Sequence, residues 1–250
     1  MATLLHAFDV VFPRRCAGCG TGPWPFCGPC RGALEPLQPP WCERCGRPSA
    51  LPVPSCRDCP PEPIATARAP FRFSGPAREA IHRLKFAGWR DVAAALASSI
   101  ASVGLPPVDA VTWVPLAKGR LAERGYDQAK ALAVALGREL ELPCPPLLRR
   151  TVATAPQTGR GGAERRAAVR GAFAPRTATP PRVLLVDDVL TTGATAAACA
   201  EALSAAGTRE VHLAAAARSL GRPALQGSVA RADNRAGPRP GLWLPGEPPR

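Results

Sequence analysis

Eight of the ten cysteines fall into four identical Cys-x-x-Cys units, Cys16/Cys19, Cys27/Cys30, Cys42/Cys45 and Cys56/Cys59, within the first quarter of a 250-residue chain. A Cys-x-x-Cys turn aims two thiolates at one cation, and two such turns complete the tetrahedral sulfur shell that Zn2+ accepts. Four turns imply two closed shells, structural rather than catalytic because no coordination position is left open. Between residues 16 and 59 only Trp24, Phe26, Leu34, Leu37, Trp41, Leu51 and Val53 are sizeable core formers. That is too little apolar bulk for a stretch of this length to fold unaided, so metal has to supply the missing folding free energy. Disulfides and redox-active pairs are the alternatives. The start MATLLHAFDVVF lacks the basic n-region of a secretory signal and carries Asp9 in its short apolar stretch, so a reducing, cytoplasmic setting is expected, where paired cysteines are metal ligands. Sequential pairing, the first four cysteines and then the last four, is the expected arrangement, with interleaved pairing the alternative. No run of residues approaches membrane-spanning length, so no membrane insertion is expected.

Composition divides the chain into residues 1–62, with the cysteine pairs among Pro and Gly; 64–218, with helical and strand patterns; and 219–250, rich in Pro, Gly and Arg. The last segment has too few apolar residues to offset its ordering entropy and reads as a disordered tail. In the middle segment, helices are expected over 76–88, 90–104, 125–140 and 193–207, and strands over 109–115, 182–188 and 210–217. Buried strands alternating with helices indicate an α/β domain built on a parallel sheet. Cys199, among alanines in the last helix, reads as a core residue, and Cys144 lies in a Pro-flanked loop; neither has a nearby base to make it a nucleophile.

The segment VLLVDDVLTTGATAAACAEAL, residues 183–203, carries the chemistry. A buried strand delivers Asp187 and Asp188 at its carboxyl end, and a loop of small hydroxyl residues with Gly193 then opens a helix. Backbone N–H groups at a helix start, with the hydroxyls of Thr191, Thr192 and Thr195, can surround a phosphate that the helix dipole also favours. Gly193 permits close backbone approach, and carboxylates just before the loop can accept hydrogen bonds from vicinal ribose hydroxyls. A plain strand-turn-helix with capping threonines would account for one Thr but not for the acids and TTGAT together.

This block resembles the phosphoribosyl diphosphate (PRPP) motif of type I phosphoribosyltransferases. Together with the cysteine pairs, the segment Leu84–Lys85–Phe86, VPLAKGRLAERGYDQ at 114–128 and TVATAPQ at 151–157, it makes the chain similar to the ComF family, associated with DNA uptake during natural competence. The resemblance covers about residues 1–218. It implies a type I phosphoribosyltransferase-like α/β sheet preceded by a double zinc ribbon. It also implies Asp187 and Asp188 as the catalytic acids on the ribose 2- and 3-hydroxyls, and Thr191, Thr192, Gly193, Ala194 and Thr195 as the 5-phosphate loop. Lys118, closing the diphosphate loop Pro115–Lys118, and Arg124 complete the PRPP contacts, with Mg2+ accompanying the diphosphate. The family's usual RGFNQ stands here as Arg124, Gly125, Tyr126, Asp127 and Gln128, and Val152 and Ala168 depart from its pattern further on. These departures touch the acceptor side more than the PRPP side, so PRPP binding is the expectation and the acceptor is not named.

Charge adds a second class of reading. The 32 basic and 19 acidic residues give +13, and eight thiolates on two Zn2+ would leave about +9. Only Lys85, Lys118 and Lys130 among the basic residues are lysines, which also fits a genome favouring Arg codons. The stretch 149–176 holds seven Arg and Glu164, with Arg44, Arg47 and Arg57 near Trp24 and Trp41. Such a surface is suited to single-stranded DNA. A ComF-like PRPP-binding protein is therefore set beside a non-catalytic single-stranded-DNA-binding competence factor and a nucleobase salvage enzyme, the last less suited because it has no need of ribbons.

Overall fold

A computed structural model describes residues 14–151 and 171–221. The tail expected to be disordered lies, beyond Gly221, outside the described residues, as do Val152, Ala168 and most of the Arg-rich stretch 149–176. The described residues up to Leu220 form one compact unit.

Five strands form a parallel sheet in the order β1 (Ile64–Arg68), β7 (Glu210–Arg218), β6 (Arg182–Leu190) and β3 (Ala110–Trp113), with β2 (Phe71–Arg72) continuing the β1 edge against β7. The run Val183–Val186 is buried at every position, as a strand covered on both faces must be. Leu184, Val186, Ala214 and Ala216 face a core built with α2 (Gly75–Phe86), α3 (Val92–Ala101) and α5 (Gln128–Glu139). Val183, Leu185, Leu213 and Ala215 face the opposite core, built with α6 (Ala194–Ala205). The helices obey their periodicity: α2 buries Ala77, Ala80, Ile81 and Leu84, one stripe of a 3.6-residue repeat.

The expected parallel α/β sheet is thus present, with its helix boundaries shifted by caps. Gly125 does not open the helix expected over 125–140. At φ 72° it ends a short helix α4 (Lys118–Arg124), and α5 starts after Asp127, whose carboxylate accepts from the Lys130 N–H at 3.1 Å. A two-stranded antiparallel pair, β4 (Leu148–Arg150) with β5 (Phe173–Pro175), stands apart from the main sheet.

The cysteine-rich segment holds one short helix, α1 (Gly28–Gly32), and isolated bridges. It shares its core with the sheet. Cys16, Ala17, Phe26, Cys27 and Cys30 pack into the α2/α3/α5 core, whereas Leu37, Cys42 and Cys45 pack into the α6 core. The change of composition near residue 63 marks a change of architecture, not an end of the core.

Candidate functional site

The four sulfurs of Cys16, Cys19, Cys27 and Cys30 lie within 4.8 Å of one another, as do those of Cys42, Cys45, Cys56 and Cys59. The pairing is therefore sequential. Sulfur separations of 3.6 Å for Cys42–Cys59 and for Cys45–Cys56, 3.9 Å for Cys56–Cys59 and 3.8 Å for Cys19–Cys27 match the edge of about 3.8 Å that Zn–S bonds of about 2.3 Å give a tetrahedron. Backbone N–H groups point at the sulfurs, Cys27 to Cys16 at 3.3 Å and Gly22 to Cys19 at 3.4 Å. The Thr21 hydroxyl and then the Gly22 N–H pull the Cys19 thiol down to about 5, whereas burial pushes Cys30 and Cys45 up to about 12. Such buried thiols become thiolates only against a cation. A zinc tetrathiolate is a dianion, and the second cluster has two arginines beside it, Arg218 acting on Cys45 and Arg68 on both Cys42 and Cys45. The donor sets fit two structural zinc ions.

At the carboxyl end of β6 the two acids point to opposite sides of the sheet, because successive strand residues alternate. Asp188 is 7% exposed and turns toward α2 and α5, where its carboxylate accepts from Lys85 Nζ at 2.7 Å and Gln128 Nε2 at 3.0 Å. Asp187 turns toward α6 and accepts the Asp188 N–H at 2.8 Å. Burial first, then the Asp188 charge, raises its carboxyl to about 7. The chain then passes through Thr191 and Thr192 to Gly193, which takes φ 73° and caps α6. The first turn of α6, with Ala194 and Thr195, leaves N–H groups without intrahelical partners.

The other expected site residues sit nearby. Arg124 lies over the Phe86 ring at 4.8 Å, at the end of the helix that delivers Lys85, and its buried Nε has no hydrogen-bond partner among the described residues. The Gln128 Oε1 is likewise without one. Asp127, where the ComF pattern has Asn, also accepts the Leu116 N–H at 3.2 Å. It pins the loop Pro115–Lys118 to α5, whose first turn it caps. Lys118 lines a cleft of about 990 Å³ between this loop, α5 and β4. Seven basic side chains (Arg90, Lys118, Lys130, Arg138, Arg149, Arg150 and Arg176) and two acidic ones, Asp91 and Asp127, line it. Trp24 and Trp41 already carry cations: Arg14 stands 6.0 Å from Trp24 and Arg68 5.7 Å from Trp41. Arg44 pairs with Glu62, and Arg47 and Arg57 with Asp58.

Sequence reasoning missed Lys85 and Gln128 as site residues. A composition signal existed for the first: the chain has three lysines, of which one reaches Asp188 and the other two line the basic cleft.

A parallel α/β sheet carrying a strand–acid–acid–loop–helix cradle, behind two four-cysteine clusters, defines an α/β protein headed by a double zinc ribbon. The double zinc ribbon domain model matches residues 7–60. The DNA utilization protein YhgH of Escherichia coli O157:H7 is 31% identical over 212 residues, 80% of this chain and 92% of that protein. YhgH of Salmonella typhi is 30% identical over 211 residues, with 79% and 92% covered. Competence protein F of Haemophilus influenzae is 34% identical over 110 residues, 42% of this chain and 48% of that one. The chain belongs to this YhgH/ComF family. Among solved structures, the glutamine PRPP amidotransferase from B. subtilis complexed with ADP and GMP is similar with a TM-score of 0.39 at 21% identity, over 54% of this chain and 30% of that longer one. Orotate phosphoribosyltransferase from Aeropyrum pernix gives 0.28 at 26% identity, over 50% and 55%. Among the described residues, no helix is long and apolar enough to cross a membrane.

Proposed function

We propose that this protein binds PRPP with Mg2+ and works in the cytoplasm in DNA utilization or uptake, as the names of its relatives suggest. The observation that carries the reading is the arrangement at residues 187–195: two acids at the end of a buried parallel strand, an αL glycine, and a helix start with threonine hydroxyls. Thr191–Thr195 would hold the 5-phosphate through N–H groups and hydroxyls. Asp188, paired with Lys85 and oriented by Gln128, retains free lone pairs for a ribose hydroxyl. Asp187 would take the neighbouring hydroxyl from the other side of the strand end. Lys118 and the loop before it would meet the diphosphate. Mg2+ would be held mainly by diphosphate oxygens and water; among the described residues the only ligand clusters are the two cysteine sets. Departure of diphosphate from the anomeric carbon leaves positive charge on the ribose ring, and fixed carboxylates beneath it favour that separation.

Titration calorimetry of PRPP and Mg2+ tests this. Asp187→Asn combined with Asp188→Asn should weaken binding at least about tenfold, since one hydrogen bond to a charged group contributes roughly 1.5–3 kcal/mol. Unchanged affinity would place the ligand elsewhere. A second reading, single-stranded DNA, is favoured by the cleft with its seven basic side chains. It predicts affinity that falls steeply with salt, and no binding at low ionic strength would reduce the cleft to electrostatics for the diphosphate.

A further inference from the structure

The second ribbon touches the phosphate cradle itself. Pro60, the residue after Cys59, is buried, and a β-carbon at Gly193 would stand 2.6 Å from the Pro60 Cβ. The loop therefore lies against the ribbon backbone at the one position where only hydrogen fits. A second link runs through Arg218, which is 2% exposed at the end of β7 and pairs in register with Leu190, the last strand residue before the loop. Its guanidinium donates to the Cys45 carbonyl at 2.6 Å and the Asp58 carbonyl at 2.8 Å. Cys45 is one of the four sulfur donors, and Asp58 lies between two others, Cys56 and Cys59. The next residue, Ser219, donates its N–H to the Leu190 carbonyl at 2.8 Å. Both sides of the loop are thus fixed to backbone at, or within one residue of, the second cluster.

The first ribbon is anchored differently. Arg83 of α2 donates to the Ala17 carbonyl at 2.9 Å and to that of Gly18, and Gly18 lies against Pro76, beside the core on the other face of the sheet. It braces the helix that carries Lys85, not the loop.

We propose that Pro60 and Arg218 are positioning residues through which the metal of the second ribbon shapes the phosphate loop, so that metal at Cys42, Cys45, Cys56 and Cys59 and phosphate ligand at Thr191–Thr195 bind cooperatively, while the first ribbon's metal is not coupled to the loop. The metal half concerns the chain alone; the ligand half rests on the PRPP reading above. Residues 42–59 hold little apolar bulk, so their shape depends on the metal. Reciprocity then requires that whatever metal adds to phosphate affinity, phosphate adds to metal retention.

Hydrogen exchange of the full chain, without ligand, tests the first half. In Cys56→Ser the amides of residues 190–195 should exchange about tenfold faster or more, within the usual range of coupling, and in Cys19→Ser they should stay within about twofold of wild type. Pro60→Gly and Arg218→Met keep all eight cysteines and should retain two zinc ions while loosening the same amides. Equal acceleration in both cysteine variants, or none in Pro60→Gly and Arg218→Met, overturns the proposal. For the second half, PRPP with Mg2+ should slow zinc release to a chromogenic chelator about tenfold in one of two phases, and Pro60→Gly should abolish that protection. PRPP that binds but leaves both phases unchanged also overturns the coupling. If PRPP does not bind while the exchange asymmetry holds, the ligand reading fails and the ribbon–loop link stands.

Discussion

Replacing Gly193 with alanine loads two penalties on one residue. At φ 73° and ψ 5° the backbone is left-handed, which costs a residue with a β-carbon about 1–2 kcal/mol. The new methyl would also lie 2.6 Å from the Pro60 Cβ and 3.2 Å from its Cα. Neither atom is the free end of a flexible chain, so backbone has to move, and overpacking of this kind costs about 1–3 kcal/mol. Together the change should remove about 2–5 kcal/mol, a large share of the roughly 5–15 kcal/mol that holds such a fold. Gly88 supplies the control: it has φ 70° and nothing within 4 Å of an added β-carbon. Gly88→Ala should therefore pay the backbone cost alone. Urea unfolding followed by tryptophan fluorescence measures both, and the difference reports the Pro60 contact provided the slope with denaturant is unchanged. Pro60→Gly in the Gly193→Ala background should restore part of the loss. If Gly193→Ala costs no more than Gly88→Ala, the ribbon does not press on the loop and the reasoning fails.

Other perturbations separate the remaining parts. Because burial and then the Asp188 charge raise Asp187 to about 7, folding takes up a proton between the unfolded value of about 3.9 and that point, so stability falls as pH rises through the window. Asp187→Asn should raise the thermal midpoint at pH 8, with the gain fading by pH 5; an equal gain at both would contradict the assignment. Lys85→Met removes the cation from a carboxylate only 7% exposed and should cost about 3–5 kcal/mol in urea unfolding. Adding Asp188→Asn should recover part of that loss, and no recovery would mean that Lys85 acts through packing alone. Metal analysis should return two zinc ions per chain. Because both ribbons share the cores of the sheet, chelation or Cys16→Ser should lower the midpoint of the whole unit, and an unchanged midpoint would show the ribbons to be independent.

What the sequence disclosed follows from which signals are local. Cys-x-x-Cys spacing encodes its own geometry, so both clusters and their donors are legible. The run RVLLVDD is apolar enough to demand a strand covered on both faces, and the cradle follows it in the chain. Lys85 and Gln128 were not legible as site residues, because they meet Asp188 across 103 and 60 residues of sequence respectively. The strand Ile64–Arg68 escaped notice because IATAR alternates only with alanine and threonine, and it becomes a strand by pairing with β7. The contact of Pro60 with Gly193 and the two carbonyls held by Arg218 are products of the sheet's register, which no local pattern encodes.

The most direct test of the account is a crystal structure of the zinc-loaded protein soaked with PRPP and Mg2+. The account predicts the 5-phosphate against the N–H groups of Thr191–Thr195 and the ribose hydroxyls at Asp187 and Asp188, with the diphosphate reaching the loop Pro115–Lys118. Ligand found only in the basic cleft lined by Lys130, Arg138 and Arg149, with the cradle empty, would contradict it.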